Sequence, residues 1–244
     1  MKRLVALIVA VLAAAPTGAE ELQIPEPVYP LLARTAETVE GFVAEGWRIE
    51  ARTDGDLDGD GRADVALVMR ATDPASILSP EMCEERLDAN ARIVAVALAR
   101  PGVGYELAGD SLDLIPRREN PCAVEHFASP EQMTIEGGVL RIEMERLMSM
   151  GSWAAGMTAY RFRLQDGQML LIGFDYSYLR RNTGDISSLS INYLTGRAKI
   201  VVGRIDSERE QVRWVSLHDR RLRRMDEIGD GLMFDPEDLV SNLP

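Results

Sequence analysis

The sequence contains little histidine, cysteine or lysine. Its two histidines are His126 and His218, and a zinc site or a histidine-based catalytic centre would need neighbouring ligands or bases that the surrounding sequence does not show. We therefore expect both to be surface or loop residues. Lys199 is the only lysine beyond residue 3, and 39 aspartates and glutamates outnumber 27 lysines and arginines, giving a net charge of −12. This acidic excess makes nucleic acid a poor partner.

Long hydrophobic runs are also scarce, because the only one lies between residues 4 and 15. It follows Lys2-Arg3 and precedes Thr17-Gly18-Ala19, so it has the parts of a signal peptide that spans residues 1–19 and is cleaved near Ala19. A run of about a dozen apolar residues is too short for a membrane-spanning helix. The sequence therefore predicts a periplasmic or secreted protein with no transmembrane segment in its mature form. Removing the leader would change the net charge to about −14.

The two cysteines, Cys83 and Cys122, would remain after export. In an oxidising compartment, such a pair more often forms a disulfide than a metal or catalytic site. The sequence therefore predicts a Cys83–Cys122 disulfide. Closing a loop of about 40 residues would stabilise the fold by about 4 kcal/mol in the chain-entropy account.

The stretch from Asp56 to Asp64 is the densest chemical signal in the chain. Its spacing is that of a calcium loop, in which oxygen ligands at positions 1, 3, 5, 7 and 9 surround one cation and a glycine at position 6 turns the backbone. The predicted ligands are Asp56, Asp58, Asp60, the carbonyl of Arg62 and Asp64, with Gly61 at the turn. Position 12 is Leu67 rather than the glutamate of an EF-hand, and apolar, β-branched residues follow. The loop is therefore expected to connect two strands.

The alternative interpretation of this loop is an Asp/Gly-rich hairpin connection without metal. Four carboxylates at this spacing would repel each other strongly without a cation, and an Asp-Gly turn seldom needs more than one acid. Calcium is therefore the favoured interpretation. Because no histidine or other water-activating base is nearby, we expect this Ca²⁺ to be structural rather than catalytic.

The pattern Asp-hydrophobic-Asp-x-Asp-Gly-x-x-Asp, followed by a Val/Leu-rich strand, resembles the calcium loops of FG-GAP repeats, which form the blades of integrin-type propellers. Together with Gly46-Trp47, the run from Arg92 to Ala99 and the segment from Ser190 to Gly196, it resembles secreted bacterial FG-GAP-like proteins (with a VCBS/integrin-type calcium loop) of uncharacterised function. The resemblance implies a β-rich fold and a calcium ion, and it implies no activity.

Period-two alternation and turn signals predict a β-rich fold. The clearest hairpin joins Tyr160 to Gln165 with Met169 to Tyr178 through Asp166-Gly167. About nine or ten such strands indicate a sandwich, a barrel or a partial propeller. A full propeller is excluded, because each blade would need its own loop motif and only one complete motif is present. The predicted fold class is mainly β, with an antiparallel, β-rich single domain and helix only at its margins.

The predicted domain has an extended lead-in at residues 20–30, a β-rich part at 31–219 and a helical or irregular tail at 220–244. Apolar residues recur at helical spacing before Gly46, which would cap the helix, and they predict an amphipathic N-terminal helix. These residues are Leu32, Ala36, Val39 and Val43. Ser79-Pro80-Glu81 has the capping residues of a second, short helix from Pro80 to Leu87.

Three further patterns have both a functional and a structural interpretation. Gly109 to Leu112 spells the nucleophile block of GDSL-type hydrolases, but the aspartate–histidine pair of that family is missing near the C-terminus, so we expect an acidic turn. Asp226 to Glu237 partly repeats a calcium loop, but apolar residues occupy two ligand positions. Trp153, in the small-residue loop from Ser149 to Gly156, is expected to close the end of the sandwich rather than form an exposed binding tip.

These observations together predict an exported, calcium-stabilised β-domain that is not an enzyme and that binds a protein or an envelope glycan. One alternative is a periplasmic hydrolase that uses carboxylates on its loops. A second is an inhibitor or immunity-type protein of the cell envelope. A concave pocket with perturbed acids or a histidine–acid pair would favour the hydrolase.

Overall fold

The structure is a computed structural model that describes residues 22–83 and 86–243. The predicted signal peptide lies outside the described residues. The strands are β1 (Thr35–Ala36), β2 (Trp47–Gly55), β3 (Asp64–Ala71), β4 (Ile77–Leu78), β5 (Leu87–Asp88), β6 (Arg92–Arg100), β7 (Gly104–Ser111), β8 (Met133–Glu136), β9 (Val139–Leu147), β10 (Ala154–Gln165), β11 (Gln168–Arg180), β12 (Asp185–Asn192), β13 (Arg197–Arg204) and β14 (Ser207–Ser216). Short 3-10 turns lie at Val39–Phe42, Pro74–Ser76, Pro130–Gln132, Met225–Glu227 and Pro236–Asp238. No helix in this described part of the chain is long and apolar enough to cross a bilayer.

The strands form two large antiparallel sheets and one small pair. The first sheet has the order β1-β7-β6-β3-β2, and the second runs from β14 to β8 in reverse chain order. The small pair consists of β4 and β5. Neighbours in the second sheet follow each other in sequence because connections of two to six residues join them. Asp166 and Gly167, with φ of 51° and 75°, form the predicted hairpin turn between β10 and β11.

The two large sheets pack face to face around one hydrophobic core. The first sheet contributes small and β-branched residues such as Val68 and Val96, and the second contributes large ones such as Tyr160, Phe162 and Phe174, all of them buried. Residues of each strand alternate between this core and the opposite face, as the pleat requires. The prediction of a mainly β, antiparallel fold is confirmed, and over the described residues the architecture is a two-sheet sandwich.

The first sheet is buried on its outer face as well. Val65, Leu67 and Ile93 lie in a second apolar cluster, which the N-terminal segment covers with residues such as Val39 and Phe42. Strands β3 and β6 are therefore enclosed on both sides, which explains why their sequences are continuous apolar runs rather than alternating ones.

The predicted amphipathic N-terminal helix is wrong. Thr35–Ala36 instead forms strand β1 and pairs with β7, and the only helical element of this segment is the single turn Val39–Phe42. The apolar residues are buried as expected, but against a sheet. Gly41 and the β-branched residues of the segment have low helix propensity, and pairing with β7 uses backbone groups that a helix would need.

The short helix predicted from Pro80 to Leu87 is also wrong where the structure describes it. Leu87–Asp88 is a strand that pairs with Ile77–Leu78, while Glu81 to Cys83 forms bends. Cys83 has a φ of 71°, which a right-handed helix does not allow. Residues 84 and 85 lie outside the described part of this range.

The C-terminal segment has two 3-10 turns and is otherwise irregular, and it closes one end of the sandwich. Met225 and Ile228 are buried in the main core. The ring of Phe234 packs 5.9 Å from that of Tyr160 and 5.2 Å from that of Phe174, measured between centroids. The Tyr160 hydroxyl donates a hydrogen bond of 2.5 Å to the carbonyl of Gly231. This segment therefore belongs to the folded domain.

Candidate functional site

The predicted calcium loop connects β2 to β3, and the last pair of that hairpin is Gly55 opposite Asp64. Asp64 is fully buried, and its two carboxylate oxygens accept hydrogen bonds of 2.8 Å each from the backbone N–H groups of Leu57 and Ala99. One side chain thus joins the start of the loop to the end of β6. The loop is anchored by sequence-distant backbone as well as by its own turn.

Three of the four predicted carboxylate ligands converge. Each of three residues, Asp56, Asp58 and Asp64, offers one carboxylate oxygen, and these atoms lie within 4.8 Å of one another. Within the described residues, this is the one such group of acidic, histidine or cysteine side chains. The carboxylate of Asp60 is paired with the guanidinium of Arg62 instead. The converging donors are all carboxylate oxygens, which suit a hard cation such as Ca²⁺.

The turn inside the loop is held by the same aspartates. Asp56 accepts hydrogen bonds from the N–H groups of Gly59 (2.6 Å) and Gly61 (2.9 Å), and both glycines have a positive φ, of 81° and 82°. The L side chains of other residues rarely adopt this conformation. These hydrogen bonds curl the backbone so that the acidic side chains face one another.

The pKa values of two acids of the group, Asp64 and Asp58, are shifted in opposite directions. Burial raises the pKa of Asp64 above its ordinary value, and the nearby carboxylates of Asp58 and Asp60 raise it further. A 2.7 Å ion pair with Arg100 holds the pKa of Asp58 below its ordinary value. The carboxylate of Asp58 is thus already paired with a cation, whereas that of Asp64 is held by backbone N–H groups. A bound cation would stabilise the ionised form of Asp64.

The Cys83–Cys122 disulfide is confirmed. The two Cα atoms are 5.0 Å apart, within the range that a disulfide spans, and the two residues are separated by 39 positions in the sequence. The bond joins the segment after β3 to the long irregular segment between β7 and β8. It lies at the end of the sandwich opposite the β2–β3 loop.

A buried network of ion pairs lies near the disulfide. Arg92, whose side chain is fully buried, binds Glu50 through Nε at 2.6 Å and Nη2 at 3.1 Å, and its Nη1 lies 3.1 Å from Glu125. Arg70 joins the network through a 2.8 Å bond to Glu50. Burial opposes the ionisation of Glu50, but the hydrogen bonds and charges of the two arginines outweigh it and hold its pKa below the ordinary value. The network ties β2, β3 and β6 to the disulfide-linked segment.

A cleft of about 720 Å³ opens at this same end of the sandwich. Its walls come from five parts of the chain: the N-terminal segment, the irregular segment after β7, the end of β9, the strands β10 and β11, and the C-terminal segment. Its polar and aromatic lining residues are Glu26, Tyr29, Asp113, Arg117, Glu119, Asn120, His126, Arg146, Ser152, Tyr176, Tyr178 and Asp230. This size is typical of a pocket for a small molecule or a short peptide segment.

Both arginines of the cleft already have partners. Arg117 binds Glu119 and the carbonyl of Pro25, each at 2.6 Å. Arg146 donates to a backbone carbonyl of the C-terminal segment and lies over the ring of Tyr176, 5.6 Å from its centroid. Four lining residues are acidic and only these two are basic, so the cleft has an acidic excess.

The edge of the cleft carries exposed apolar side chains. Met233 lines the cleft and is 73% exposed, while Trp153, one residue beyond the lining residue Ser152, is 66% exposed. The expectation that Trp153 closes the end of the sandwich is therefore wrong, because its side chain is exposed; the aromatic ring that packs on Tyr160 and Phe174 is that of Phe234. Arg181 holds the loop of Trp153 by donating to the carbonyls of Met148, Ser152 and Trp153.

His126 lines the cleft with a defined tautomer. Its Nδ1 lies 3.0 Å from the backbone carbonyl of Glu145, and because a carbonyl only accepts, Nδ1 carries the proton. Burial lowers the pKa of His126, so the ring is neutral near pH 7. The Nδ1 partner is a carbonyl rather than a carboxylate, so the imidazole lacks the acid that orients a catalytic histidine.

The remaining candidates have structural surroundings. Ser111 is buried at the end of β7, and its hydroxyl accepts a hydrogen bond from the N–H of Leu114. His218 is exposed and contacts Glu237, whose carboxylate also accepts from two backbone N–H groups. In the partial repeat of the calcium loop, Asp230 accepts from the N–H of Leu232. These side chains therefore stabilise local turns.

Comparison with protein-family models, with curated proteins and with solved structures found no match to this chain. The resemblance to FG-GAP-like proteins therefore stays a prediction from the sequence. The functional proposal consequently rests on the geometry of the loop and the cleft.

Proposed function

We propose that this protein is an exported binding protein, in which calcium stabilises the β2–β3 loop and the cleft at the opposite end of the sandwich receives a segment of a partner protein. The single observation that carries the binding role is the cleft. It combines a volume of about 720 Å³, three tyrosines and an edge of exposed methionine and tryptophan. Aromatic and methionine side chains supply adaptable apolar contact area at binding surfaces.

The charge of the cleft indicates the chemistry of its ligand. Arg117 is paired with Glu119 and lies 3.9 Å from Glu26, and the four acidic residues of the lining outnumber its two arginines, so a cationic group would be attracted and an anionic one repelled. Sugar rings also stack on tyrosine, but an uncharged glycan would gain nothing from this acidic excess. We therefore infer that the ligand is a peptide segment with apolar and basic side chains.

Calcium has a separate, structural role in this proposal. Asp56, Asp58 and Asp64 would hold the ion, whose positive charge would offset the repulsion among their carboxylates. The loop lies beside Arg163 of β10, while the cleft is lined by Ala155 of the same strand. Eight residues of extended strand separate the two sites by about 27 Å. An ion in the loop therefore cannot contact a ligand in the cleft.

A periplasmic hydrolase is the second candidate, and His126 is the observation in its favour. A neutral imidazole with its Nε2 lone pair available has the protonation state of a general base. The candidate is weaker because the partner of Nδ1 is a backbone carbonyl. Exposed methionine and tryptophan at the edge of the cleft contribute to binding and not to acid–base chemistry.

The binding proposal is tested with a fluorescently labelled peptide of alternating lysine and leucine, titrated with the purified protein and followed by anisotropy. A peptide of alternating glutamate and leucine tests the charge preference. Ala154, an exposed residue of the cleft wall, is changed to Phe to fill the cleft without altering charge. Ala75→Phe, at an exposed position outside the cleft lining, is the matched control.

We expect the lysine peptide to bind at least about tenfold more tightly than the glutamate peptide, and A154F to weaken its binding by about tenfold, which corresponds to about 1.4 kcal/mol. A75F should bind like the unchanged protein. Equal binding to A154F and A75F would locate the interaction outside the cleft. Equal affinity for the two peptides would contradict the inferred ligand chemistry.

A further inference from the structure

Strand β14 (Ser207–Ser216) is the outermost strand of the seven-stranded sheet and is almost entirely exposed. Its apolar residues include Val212, which is 51% exposed, and Trp214, which is 55% exposed. At the other edge of the same sheet, β8 is only four residues long. A long, exposed edge strand is a template for pairing with another strand, and proteins usually shorten or cover such an edge.

The outward backbone groups of β14 can be assigned from its pairing with β13. The N–H of Leu217 donates to the carbonyl of Gly196 at 2.9 Å, in the same register that pairs Ser216 with Arg197. The pairing is regular from Gln211 to Ser216, and the register shifts between Val202 and Arg204 of β13. Because hydrogen-bonded residues alternate in an antiparallel pair, the odd-numbered residues of the regular part bond to β13. The even-numbered residues of this part, Val212, Trp214 and Ser216, therefore direct their N–H and C=O groups away from the sheet.

A second copy of β14 can pair with this edge in an antiparallel, two-fold symmetric arrangement. The two-fold axis is then perpendicular to the sheet, so two residues that lie opposite each other are on the same face of the sheet. Their residue numbers are therefore both even or both odd. In the register centred on Val212, this residue lies opposite its own copy. Glu210 then lies opposite Trp214, and Gln211 lies opposite Arg213. No like charges face each other in this register.

The neighbouring registers are disfavoured by charge. In the register centred on Gln211, Arg209 lies opposite Arg213. In the register centred on Arg213, that arginine lies opposite its own copy, and in the register centred on Glu210, that glutamate lies opposite its own copy. Like charges directly opposite each other destabilise a strand pair. Among registers that pair more than five residues and keep Glu208 to Glu210 extended, the register centred on Val212 is thus the one without a repulsive pair.

The same register unites the exposed apolar residues. Val212 and Trp214 lie on one face of β14, and in the pair each Trp214 is diagonal to Val212 of the other copy, within reach of its large side chain. Arg197 lies over the ring of Trp214, 4.6 Å from its centroid, and holds the indole on this face. The two valines and two tryptophans would form one continuous apolar patch across the junction.

The charge of β14 also suits a partner with the same sequence. Two glutamates and two arginines cancel along the strand, namely Glu208, Glu210, Arg209 and Arg213, whereas the whole chain carries a net charge of −12. Two copies that meet at a neutral strand place their acidic surfaces away from the contact. We propose that the protein forms a symmetric dimer through β14, in the register that places Val212 opposite Val212.

Single-cysteine variants test this register directly. Both native cysteines are held in the Cys83–Cys122 disulfide, so an introduced cysteine is the only free thiol. In the proposed dimer, Val212→Cys places two thiols opposite each other at a Cα separation that a disulfide can span. Glu208→Cys, at an equally exposed position of the same strand, places its two thiols about 27 Å apart along the paired strands.

We expect V212C to form disulfide-linked dimers under mild oxidation at least about tenfold faster than E208C. Sedimentation of the protein without introduced cysteines should show a monomer–dimer equilibrium over about 1 to 300 μM, as suits an interface of modest area. Val212→Lys should abolish the dimer, because two lysines then face each other, while Val212→Thr should retain it. Sedimentation as a monomer throughout this range, or equal cross-linking of V212C and E208C, would overturn the proposal.

Discussion

The two ends of the sandwich are held together in different ways. At the loop end, one contiguous stretch from Asp56 to Asp64 makes its own turn, and the buried carboxylate of Asp64 and the Asp58–Arg100 ion pair tie it to β6. At the cleft end, the Cys83–Cys122 disulfide, the ion pairs of Arg92 and the C-terminal segment join parts of the chain that are far apart in sequence. The loop end is built from one contiguous stretch anchored to β6, whereas the cleft end is built from several distant segments joined by cross-links.

This difference matches the roles that we propose for the two ends. An open cleft interrupts the packing at its end of the sandwich, so that end requires other connections between the segments that form its walls. The disulfide joins one of these segments, the irregular one after β7, to the segment after β3, and the ion pairs fasten it to the first sheet. The loop end has a smaller pocket, of about 530 Å³, and its loop is held by its own turn, by the buried Asp64 and by the Asp58–Arg100 ion pair. Changes at the loop end should therefore alter stability without altering binding.

The largest effect is expected from Arg92→Met. The arginine is fully buried and pairs with Glu50 and Glu125, so its removal leaves two acids without their main cationic partner. Breaking a buried ion pair from one side costs about 4 kcal/mol. Urea unfolding of R92M compared with the unchanged protein measures this loss.

Arg52→Met is the matched control for this prediction. Arg52 is on the same sheet but is exposed, and its ion pair with Asp54 is a surface pair. Such pairs contribute only about 0 to 1 kcal/mol. If R92M and R52M unfolded at the same urea concentration, the buried network would not be what secures the cleft end.

A smaller effect is expected from Asp64→Ala at the loop end. The variant leaves the N–H groups of Leu57 and Ala99 without their acceptor, and unsatisfied buried donors of this kind should cost about 3 kcal/mol in total. The affinity of the folded variant for the lysine–leucine peptide should be unchanged, since the cleft is at the other end. Unfolding titrations and peptide anisotropy together separate the two effects.

Asp54→Ala, an exposed acid just before the loop, is the control for Asp64→Ala and should cost less than about 1 kcal/mol. A loss of peptide affinity in folded D64A would show that the two ends are coupled. That result would contradict the division of roles between them.

The loop end could be predicted from the sequence because its residues are contiguous. Asp56, Asp58 and Asp64 converge as their spacing indicated, although Asp60 turns to Arg62. The strands on both sides were also predicted, since apolar runs and period-two alternation are local signals. The disulfide was predicted from the expected export and from the count of two cysteines, which allow only one pairing.

The cleft could not be predicted, because its walls come from segments as distant as Glu26 and Asp230. The only local signal was the alternation of Tyr176 and Tyr178 on one strand. The N-terminal helix was predicted wrongly for a related reason. The helical spacing of apolar residues indicates which side chains are buried, but it does not indicate against what they pack. The pairing of Thr35–Ala36 with β7 is a tertiary contact, which the local pattern does not contain.

The most direct test of the account is the unfolding free energy of the protein in excess Ca²⁺ and in EDTA, measured for the unchanged protein and for Asp56→Ala. At a calcium concentration a hundredfold above Kd, linkage predicts a stabilisation of about 2.7 kcal/mol for the unchanged protein. The variant should lose most of this difference, and peptide affinity should be the same in both buffers. Identical unfolding free energies of the unchanged protein in Ca²⁺ and EDTA would contradict the assignment of the Asp56 to Asp64 loop as a structural calcium site.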